Sequence, residues 1–323
     1  MSIIPEISNE QGGVLSRLRS EDAVVRRIAL LELADDEDDE ALPFIIQTLR
    51  EDPSEAVRKE AAQLLASWEQ GDVVAALCQA LTDSSTQVRE AAAQSLTELK
   101  DPAMGPQVLP WACHADAFVR AAALRALREL RVAQSYEPAV ESLSHADAAV
   151  RREAASVLGW LRQAGAVGRL APLLERDPDA EVRRIATGAL GFAQAHEVLP
   201  YLLLALGDPE WQVREEAART LGKLAPLAAQ EALIAALDDR YWQVRLQAAR
   251  SLGRLKDRRA TPALIPLLGH SLSNLRKEVA LALGELADAA ARPALLEALN
   301  DADPEVRKAV RIALGQLPVA EGA

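Results

Sequence analysis

The sequence predicts an all-α protein, a right-handed superhelical α-solenoid of about ten two-helix repeats of 31–32 residues each. The main observation is a Val-Arg pair that recurs at nearly constant spacing, with Leu275 in place of the valine once. The arginines of these pairs are Arg26, Arg58, Arg89, Arg120, Arg151, Arg183, Arg214, Arg245, Arg276 and Arg307. A fixed period of this length is typical of stacked units that each pack only on their neighbours.

The second observation is a helical pattern on both sides of a turn within each repeat. Residues 196–206 and 211–224 have the apolar spacing of helices, and Gly207 to Glu210 form the turn between them. Asp208 before Pro209 predicts an N-cap for the second helix. When positions are counted from the repeat arginine as zero, apolar or small residues occupy −1, +3, +7 and +10. These positions share one helical face, which predicts the core.

Glycine at position +8 recurs in the later repeats. The six glycines are Gly159, Gly191, Gly222, Gly253, Gly284 and Gly315. A glycine inside a helix costs about 1 kcal/mol of helix propensity. We therefore expect a neighbouring helix to approach closely at this position.

The composition limits the classes of function. The net charge is −12 over 323 residues, and only 3% of the residues are aromatic. This balance favours solubility and disfavours general binding to nucleic acid or anionic membranes, although it is compatible with a local basic groove. The first residues lack a basic segment followed by an apolar run, so no signal peptide is predicted. No apolar stretch is long enough for a transmembrane helix, and the cytoplasm is the expected location.

Three further expectations follow from the chain as a whole. We expect one solenoid over residues 10–318, an N-terminal extension at 1–9 and a C-terminal tail at 319–323. Cys78 and Cys113 occupy different repeat positions, which predicts buried thiols rather than a disulfide or metal ligands. The acidic run at 35–40 lacks the glycine and ligand spacing of a calcium loop, and it is interpreted as a solvated loop.

An acidic residue recurs at position −6, in the turn before the second helix. The aspartates there are Asp52, Asp83, Asp177, Asp208, Asp239 and Asp301. Stacked in register, they and the repeat arginines predict a ladder in which each arginine bonds an aspartate or a turn carbonyl of its own or an adjacent repeat. This role is structural. His114, His145 and His270 occupy the same position and are interpreted as substituted turn caps, because stacked helices are too far apart for two of them to share a zinc ion.

The pattern D-P-x-x-x-V-R-x-x-A-A-x-x-L-G resembles the short HEAT-like repeats of the phycobilisome-lyase type, from about residue 10 to 318. That resemblance implies that the first helices form a convex face and the second helices line a concave groove. The family includes subunits of bilin lyases, chaperone-like factors and bacterial scaffolds.

Positions +1, +5 and +9, with −2 beside them, point away from the core and are predicted to line the groove. From repeat four onward they gather aromatic and cationic residues, together with aromatic residues at the start of the second helix. The predicted partner-binding residues are Phe118, Arg125, Trp160, Arg184, Phe192, Trp211, Arg219, Lys223, Tyr241, Trp242, Arg250, Arg254 and Lys277. Aromatic residues and arginine are favoured binding anchors. The alternative is that the aromatic residues pack against adjacent turns.

These observations favour a monomeric, non-enzymatic scaffold or adaptor that holds an acidic, partly apolar protein segment in the groove of repeats four to nine. No catalytic residue, cofactor or metal is predicted. One alternative is a bilin-lyase-like or chaperone-like factor that handles a tetrapyrrole or its acceptor protein, and another is nucleic-acid binding through the basic groove. A di-iron enzyme similar to deoxyhypusine hydroxylase would need several His-Glu pairs in the groove, whereas His196-Glu197 is the single pair and lies in a first helix.

Overall fold

The computed structural model describes residues 9–35 and 39–318 of the chain. Within these residues every regular element is helical, and twenty α-helices alternate as first and second members of ten pairs. The predicted all-α fold of two-helix repeats is confirmed. Residues 1–8, 36–38 and 319–323 lie outside the described residues. Most of the predicted N-terminal extension, half of the acidic run and all of the predicted C-terminal tail fall in these segments. The chain divides into two compact units, Met1–Leu161 and Arg162–Ala323.

The first unit holds repeats one to five. Its helices are α1 (Asn9–Arg17), α2 (Ala23–Ala34), α3 (Leu42–Glu51), α4 (Glu55–Leu64), α5 (Gly71–Ala80), α6 (Thr86–Leu96), α7 (Gly105–Val108), α8 (Ala117–Leu130), α9 (Tyr136–Ser142) and α10 (Ala148–Leu161).

The second unit holds repeats six to ten. Its helices are α11 (Val167–Arg176), α12 (Ala180–Ala189), α13 (Ala195–Ala205), α14 (Trp211–Leu224), α15 (Gln230–Ala235), α16 (Trp242–Leu255), α17 (Thr261–Leu264), α18 (Ser273–Leu286), α19 (Arg292–Glu297) and α20 (Pro304–Gln316).

Repeat seven shows how well the sequence pattern places the helices. The observed α13 and α14 agree with the predicted ranges to within one residue. The predicted N-cap is wrong, because Glu210 is the residue that precedes α14 and its side chain makes no capping bond. Asp208 lies further back in the turn, where its carboxylate accepts a hydrogen bond from the N–H of Glu210. The same carboxylate is bound by Arg183 of the preceding repeat, so it stabilises the turn rather than the helix start.

The core of each unit lies between first and second helices. In α14, Val213, Ala217 and Leu221 at −1, +3 and +7 are fully buried, whereas Leu224 at +10 is half-buried. The first helix of the pair contributes the fully buried Leu202. Each large aliphatic side chain removed from water in this way stabilises the fold by roughly 1.5–3 kcal/mol. The core face predicted from helical periodicity is therefore confirmed at three of its four positions in this repeat.

Successive second helices pack against one another in a fixed register. A Cβ placed on Gly222 would lie 2.9 Å from the Cα of Ser251, and one on Gly284 would lie 2.7 Å from the Cα of Ala313. In both cases position +8 of one repeat meets position +6 of the next. Arg250 at +5 also bonds Glu278 at +2 of the next repeat, so neighbouring second helices run in the same direction with nearly the same register. The close approach predicted at the recurrent glycine is confirmed in these repeats.

The first helix is shorter than the second in eight of the ten repeats, and the two have equal length in repeats two and six. α7 and α17 each have only 4 residues and continue as 3₁₀ turns that contain Pro110 and Pro266. Proline has no N–H to donate to the helix, which ends the regular hydrogen-bond pattern there. By contrast, α8, α10, α14, α16 and α18 each run for 14 residues, so the second helices offer the longest continuous surfaces.

Candidate binding surface

One residue of each turn, at position −6, organises the start of the second helix. Its side chain accepts a hydrogen bond from the backbone N–H two residues later in all ten repeats. The acceptors are Ser20, Asp52, Asp83, His114, His145, Asp177, Asp208, Asp239, His270 and Asp301. The interpretation of the three histidines as substituted turn caps is confirmed, because each uses Nδ1 as the acceptor.

The backbone of the same residue binds the repeat arginine. In nine repeats the guanidinium donates to the carbonyl at position −6 of its own turn. These arginines are Arg26, Arg58, Arg120, Arg151, Arg183, Arg214, Arg245, Arg276 and Arg307. The arginine therefore holds its own turn closed whatever residue the next repeat supplies.

The remaining nitrogens of the arginine reach the aspartate of the following repeat. Within the two units, five pairs of described residues have both Nε and Nη2 bonded to the two carboxylate oxygens of one aspartate, at distances of 2.6–2.9 Å. These pairs are Arg26–Asp52, Arg58–Asp83, Arg183–Asp208, Arg214–Asp239 and Arg276–Asp301. Two-pronged pairing of this kind fixes the angle between the groups as well as their distance. In these five cases it ties one turn to the next within a unit.

The ladder changes wherever histidine replaces aspartate. Arg89, which precedes His114, bonds Asp116 at 2.9 Å instead. Arg120, which precedes His145, turns back to the carbonyls of Cys113 and His114. Arg245 lies 3.1 Å from Nε2 of His270, and its own Nε is buried with no hydrogen-bond partner among the described residues.

The solvent side of the second helices, formed by positions +1, +2, +5 and +9, is called here the second-helix face. Its start edge is where the second helices begin, and its end edge is where they finish. Each unit exposes one tryptophan there: Trp160 on the end edge of the first unit, with 41% of its surface accessible, and Trp242 on the start edge of the second, with 40%.

The other predicted aromatic residues are partly covered by neighbours. Trp211 and Tyr241, from adjacent repeats, stack with ring centroids 5.7 Å apart, and the guanidiniums of Arg214 and Arg240 lie over the Tyr241 ring. Phe192 is half-buried. Packing thus accounts for Trp211 and Tyr241, whereas Trp242 beside them keeps an accessible ring.

Aromatic residues of the first unit contact arginines of the preceding repeat. The guanidinium of Arg89 lies 4.6 Å from the ring centroid of Phe118, and that of Arg131 lies 4.7 Å from the centroid of Trp160. Such cation–π contacts orient a ring without hiding both of its faces. Arg131 therefore covers part of the Trp160 ring, while 41% of the residue stays accessible.

Most of the predicted groove cations are ion-paired. Arg125 pairs with Glu153 at 2.9 Å and Arg250 with Glu278 at 2.8 Å. Lys277 lies 3.9 Å from Glu305. Arg184 and Arg219 belong to one network in the second unit, which is built from Glu181, Glu215 and Glu216. Much of the positive charge expected in the groove is therefore neutralised within the protein.

Comparison with known proteins places the chain in a family. Its sequence matches the family of HEAT repeats over residues 13–97, 42–112, 105–190, 167–240 and 230–315. These matches together cover most of its length. The chain is a HEAT repeat protein. No curated protein is similar enough in sequence to count as a match.

Solved structures share the fold of this HEAT repeat protein at low sequence identity. An engineered protein is 22% identical to this chain, with a TM-score of 0.52; the match covers 98% of the engineered chain and 95% of this one. YibA of Escherichia coli is 20% identical, with coverages of 98% and 93% and a TM-score of 0.54. Yeast importin-beta, Kap95p, is 17% identical with a TM-score of 0.67; this chain is covered to 97% but spans only 51% of importin-beta.

The acidic partners of the groove cations were missed in the sequence of this HEAT repeat protein. Glu60, Glu153, Glu216 and Glu278 all occupy position +2, and each faces an arginine at +1 or +5 of the repeat before it. The sequence does contain a pattern that indicates this pairing, because each of these glutamates follows its arginine by 28 to 33 residues. Glu216 shows the cost of this arrangement, because burial raises the pKa of its carboxyl despite the charges of Arg219 and Arg184.

Two predicted groove cations remain without an ion-pair partner among residues 9–35 and 39–318. They are Lys223 and Arg254, both exposed at position +9 on the end edge of the second unit. The ammonium of Lys223 lies close to Gly191 of the preceding repeat. These two side chains are available to an anionic group of a partner.

The remaining site predictions concern cysteines and metals. Cys78 is buried, and burial raises the pKa of its thiol to about 12. The prediction for Cys113 is wrong, because this residue is exposed; it ends the 3₁₀ segment of a shortened first helix rather than facing the core.

In the part of the chain that the structure describes, no three His, Cys, Asp or Glu side chains are grouped to hold a metal ion, and no helix is long and apolar enough to cross a membrane.

Proposed function

We propose that this HEAT repeat protein is a non-enzymatic scaffold that holds a segment of a partner protein on its second-helix face. The observation that carries the proposal is the accessible ring of Trp242, which lies beside the stacked Trp211 and Tyr241 in a chain with few aromatic residues. A rigid aromatic anchor next to arginine is the usual chemistry of a binding hot spot. In the first unit Trp160, with Arg131 over its ring, supplies a second anchor of the same type.

Proteins with the same fold support a scaffold role. Two of the solved structures that are similar to this chain concern partner binding: one describes the binding of Kap95p to RanGDP, and the other is a complex of Kap95 with Nup1. Repeat solenoids present an extended face on which a partner chain can lie. We extend this mode of binding to the present protein as a proposal. The monomeric state, the cytoplasmic location and the finer resemblance to the phycobilisome-lyase type stay predictions.

A protein segment fits the surface better than a tetrapyrrole or a nucleic acid. Pairing of Arg184, Arg219 and Arg250 with glutamates leaves few cations in the middle of the face for propionates or phosphates, and the unpaired Lys223 and Arg254 lie only along its end edge. Trp211 and Tyr241 stack on each other, which leaves no slot for a planar ring between them. A new visible absorbance band on mixing the protein with bilin would favour the tetrapyrrole alternative over this proposal.

Site-specific crosslinking tests the proposal. A photo-crosslinking amino acid replaces Gln212, which is exposed on the start edge of α14, or Leu204, which is 55% exposed on the first helix α13. We expect irradiation in native extracts to yield one recurrent protein adduct from position 212 and none from position 204. Trp242→Ala in the 212 background should reduce that adduct at least fivefold while the thermal unfolding curve stays unchanged. Equal adducts from both positions, or no effect of the tryptophan, would overturn the proposal.

A further inference from the structure

The second-helix face of repeats seven to nine has two edges of opposite chemistry. The start edge is apolar: besides Trp211, Tyr241 and Trp242 it carries Leu272, the residue before α18, which is 39% exposed. All four residues lie within one or two positions of a second-helix start. Because neighbouring second helices are aligned in register, these side chains form one continuous row.

The end edge of the same repeats is cationic. Lys223, Arg254 and Lys256, which lie at or just after the last residues of α14 and α16, are all exposed, and none of them has a carboxylate partner within ion-pair distance among the described residues. Arg259 in the same turn is different, because it is paired with Asp257 at 2.6 Å. Glu285 is the acid of the next repeat on this edge, and it lies against Gly253. Three unpaired cations within two adjacent repeats contrast with the net charge of −12 for the whole chain.

The part of the second-helix face between the two edges is nearly neutral. Leu246 and Leu281 are half-buried there, next to the ion pair of Arg250 and Glu278. A second helix of 14 residues separates the edges by about 20 Å at 1.5 Å per residue. A single α-helix with side chains is about 10–12 Å wide. One helix laid along the stack therefore covers about half of this distance. The long exposed side chains at the edges, Lys223, Arg254 and Trp242, would bridge the rest, whereas an extended strand is narrower and would leave a larger gap.

We infer that the second-helix face of repeats seven to nine binds an amphipathic helix of a partner protein, with an acidic row toward Lys223 and Arg254 and an apolar row toward Trp242 and Leu272. This inference rests on the proposed function and adds the class of ligand and its orientation. A helix of this kind satisfies both edges at once, because residues three and four apart share one of its sides. A phosphate backbone would gain only the cationic edge and would lie against the apolar one.

A displayed library of random 16-residue peptides provides the probe. The full chain is used for selection, and the peptides recovered are made synthetically and titrated by fluorescence anisotropy. We expect enrichment in Asp and Glu on one side and in Leu, Phe or Trp on the other at three- and four-residue spacing. Bound peptides should become helical, and their affinity should fall as salt rises, because the cationic edge is exposed.

Paired variants separate the two edges. K223E/R254E should weaken the selected peptides at least tenfold, and replacing their Glu residues by Lys should restore affinity for this variant. W242A/L272A should weaken them at least tenfold with little change in salt dependence. The matched controls are R176E, a charge reversal at an arginine 83% exposed on α11, and L204A on α13; both should stay within twofold of the parent. K223Q/R254Q serves if the double glutamate variant does not fold.

The outcomes distinguish this inference from the proposed function. Selected peptides that crosslink from position 212 but are not acidic, or that bind K223E/R254E as well as the parent, would overturn the amphipathic-helix inference and leave the scaffold proposal standing. If no peptide is recovered that crosslinks from position 212, both fail. Recovery of extended, proline-rich peptides would also contradict the inference, since such ligands do not use the cationic edge and the apolar edge together.

Discussion

Position −6 shows how one residue can serve three partners at once. An aspartate there closes its own turn with the side chain, receives its own arginine at the carbonyl, and binds the arginine of the preceding repeat with both carboxylate oxygens. Histidine keeps the first two functions, because Nδ1 accepts the turn N–H and the carbonyl is unchanged. It loses the third, because a neutral imidazole has only one acceptor nitrogen.

His270 is the clearest case of this loss. Its Nδ1 accepts from Leu272, so Nε2 carries the proton and faces the Nη2 of Arg245 at 3.1 Å as donor against donor. Burial, together with the charges of Arg245 and Arg276, lowers the pKa of His270 and so favours its neutral form. The arginine is thus left with an unsatisfied Nε, which is costly for a buried donor.

His270→Asp is therefore expected to stabilise the protein. The new carboxylate would reproduce the pairing of Arg214 with Asp239, in which both side chains are about nine-tenths buried. We expect a gain of about 1–2 kcal/mol in the free energy of unfolding at pH 7, from the urea midpoint followed by circular dichroism. His270→Asn, which restores acceptors but no charge, should gain less, and the reverse change Asp239→His should lose stability. An unchanged midpoint for His270→Asp would contradict this account of the ladder.

At the scale of the helix, the decisive feature is how closely successive second helices approach. The glycine of position +8 lets the backbone of α14 meet that of α16 at Ser251, and the backbone of α18 meet that of α20 at Ala313. In α20 itself the equivalent Gly315 has no atom of a neighbour within 4 Å of a Cβ placed on it. The same residue at the same helical position thus has opposite surroundings in two helices of one chain.

Alanine substitutions exploit this difference. Gly222→Ala and Gly284→Ala would place a methyl group against a backbone atom, so we expect each to destabilise the protein by about 1–3 kcal/mol through overpacking. Gly315→Ala meets no neighbour and should stabilise it by up to about 1 kcal/mol, because alanine has the higher helix propensity. The check is the unfolding midpoint of the three variants in urea. Stabilisation by all three would mean that the helices separate at no cost and that position +8 does not set their distance.

The sequence alone supported prediction of the helices but not of all their contacts. Periodicity placed α13 and α14 because burial of one face dominates helix formation. The N-cap at Asp208 was wrong because the partner that competes for its carboxylate, Arg183, is 25 residues away in the chain. The neutralisation of Arg125 and Arg250 was missed for the same reason, since their glutamates lie 28 residues further on and meet them only after stacking. Long-range charge pairs follow from register, which the pattern within one repeat does not contain.

At the scale of the whole molecule, charges are used in two separate ways. The ladder of repeat arginines and turn aspartates joins adjacent turns, while a second set of pairs joins adjacent second helices on their solvent side. Both sets occur in each unit. What they leave unpaired on the end edge of repeats seven to nine is a small cationic excess in an acidic chain. The proposed binding surface is therefore defined as much by what the ion pairs remove as by the residues that the pattern selects.

The ladder also predicts how stability depends on acid. A hydrogen bond from Arg58 lowers the pKa of Asp83, and one from Arg276 lowers that of Asp301, from the ordinary value of 3.8. A carboxyl whose pKa is lower in the folded state contributes stability that is complete above its unfolded pKa and is lost as pH falls through the folded one. We therefore expect the urea midpoint to be nearly constant from pH 7 to about pH 5 and to fall steeply below about pH 4. Glu216, whose pKa burial raises, contributes with the opposite sign and offsets part of this loss.

Asn variants of the ladder test this assignment. Asp83→Asn and Asp301→Asn should each cost about 1–3 kcal/mol at pH 7, because each leaves a partly buried arginine without its charge partner. They should also flatten the fall in stability between pH 5 and pH 3, since the titrating group is gone. Asp238→Asn, at an exposed aspartate without a ladder partner, provides the control and should change neither quantity. If the ladder variants keep the parent slope with pH, acid sensitivity arises from other carboxylates, and the aspartates of the turns act through shape rather than charge.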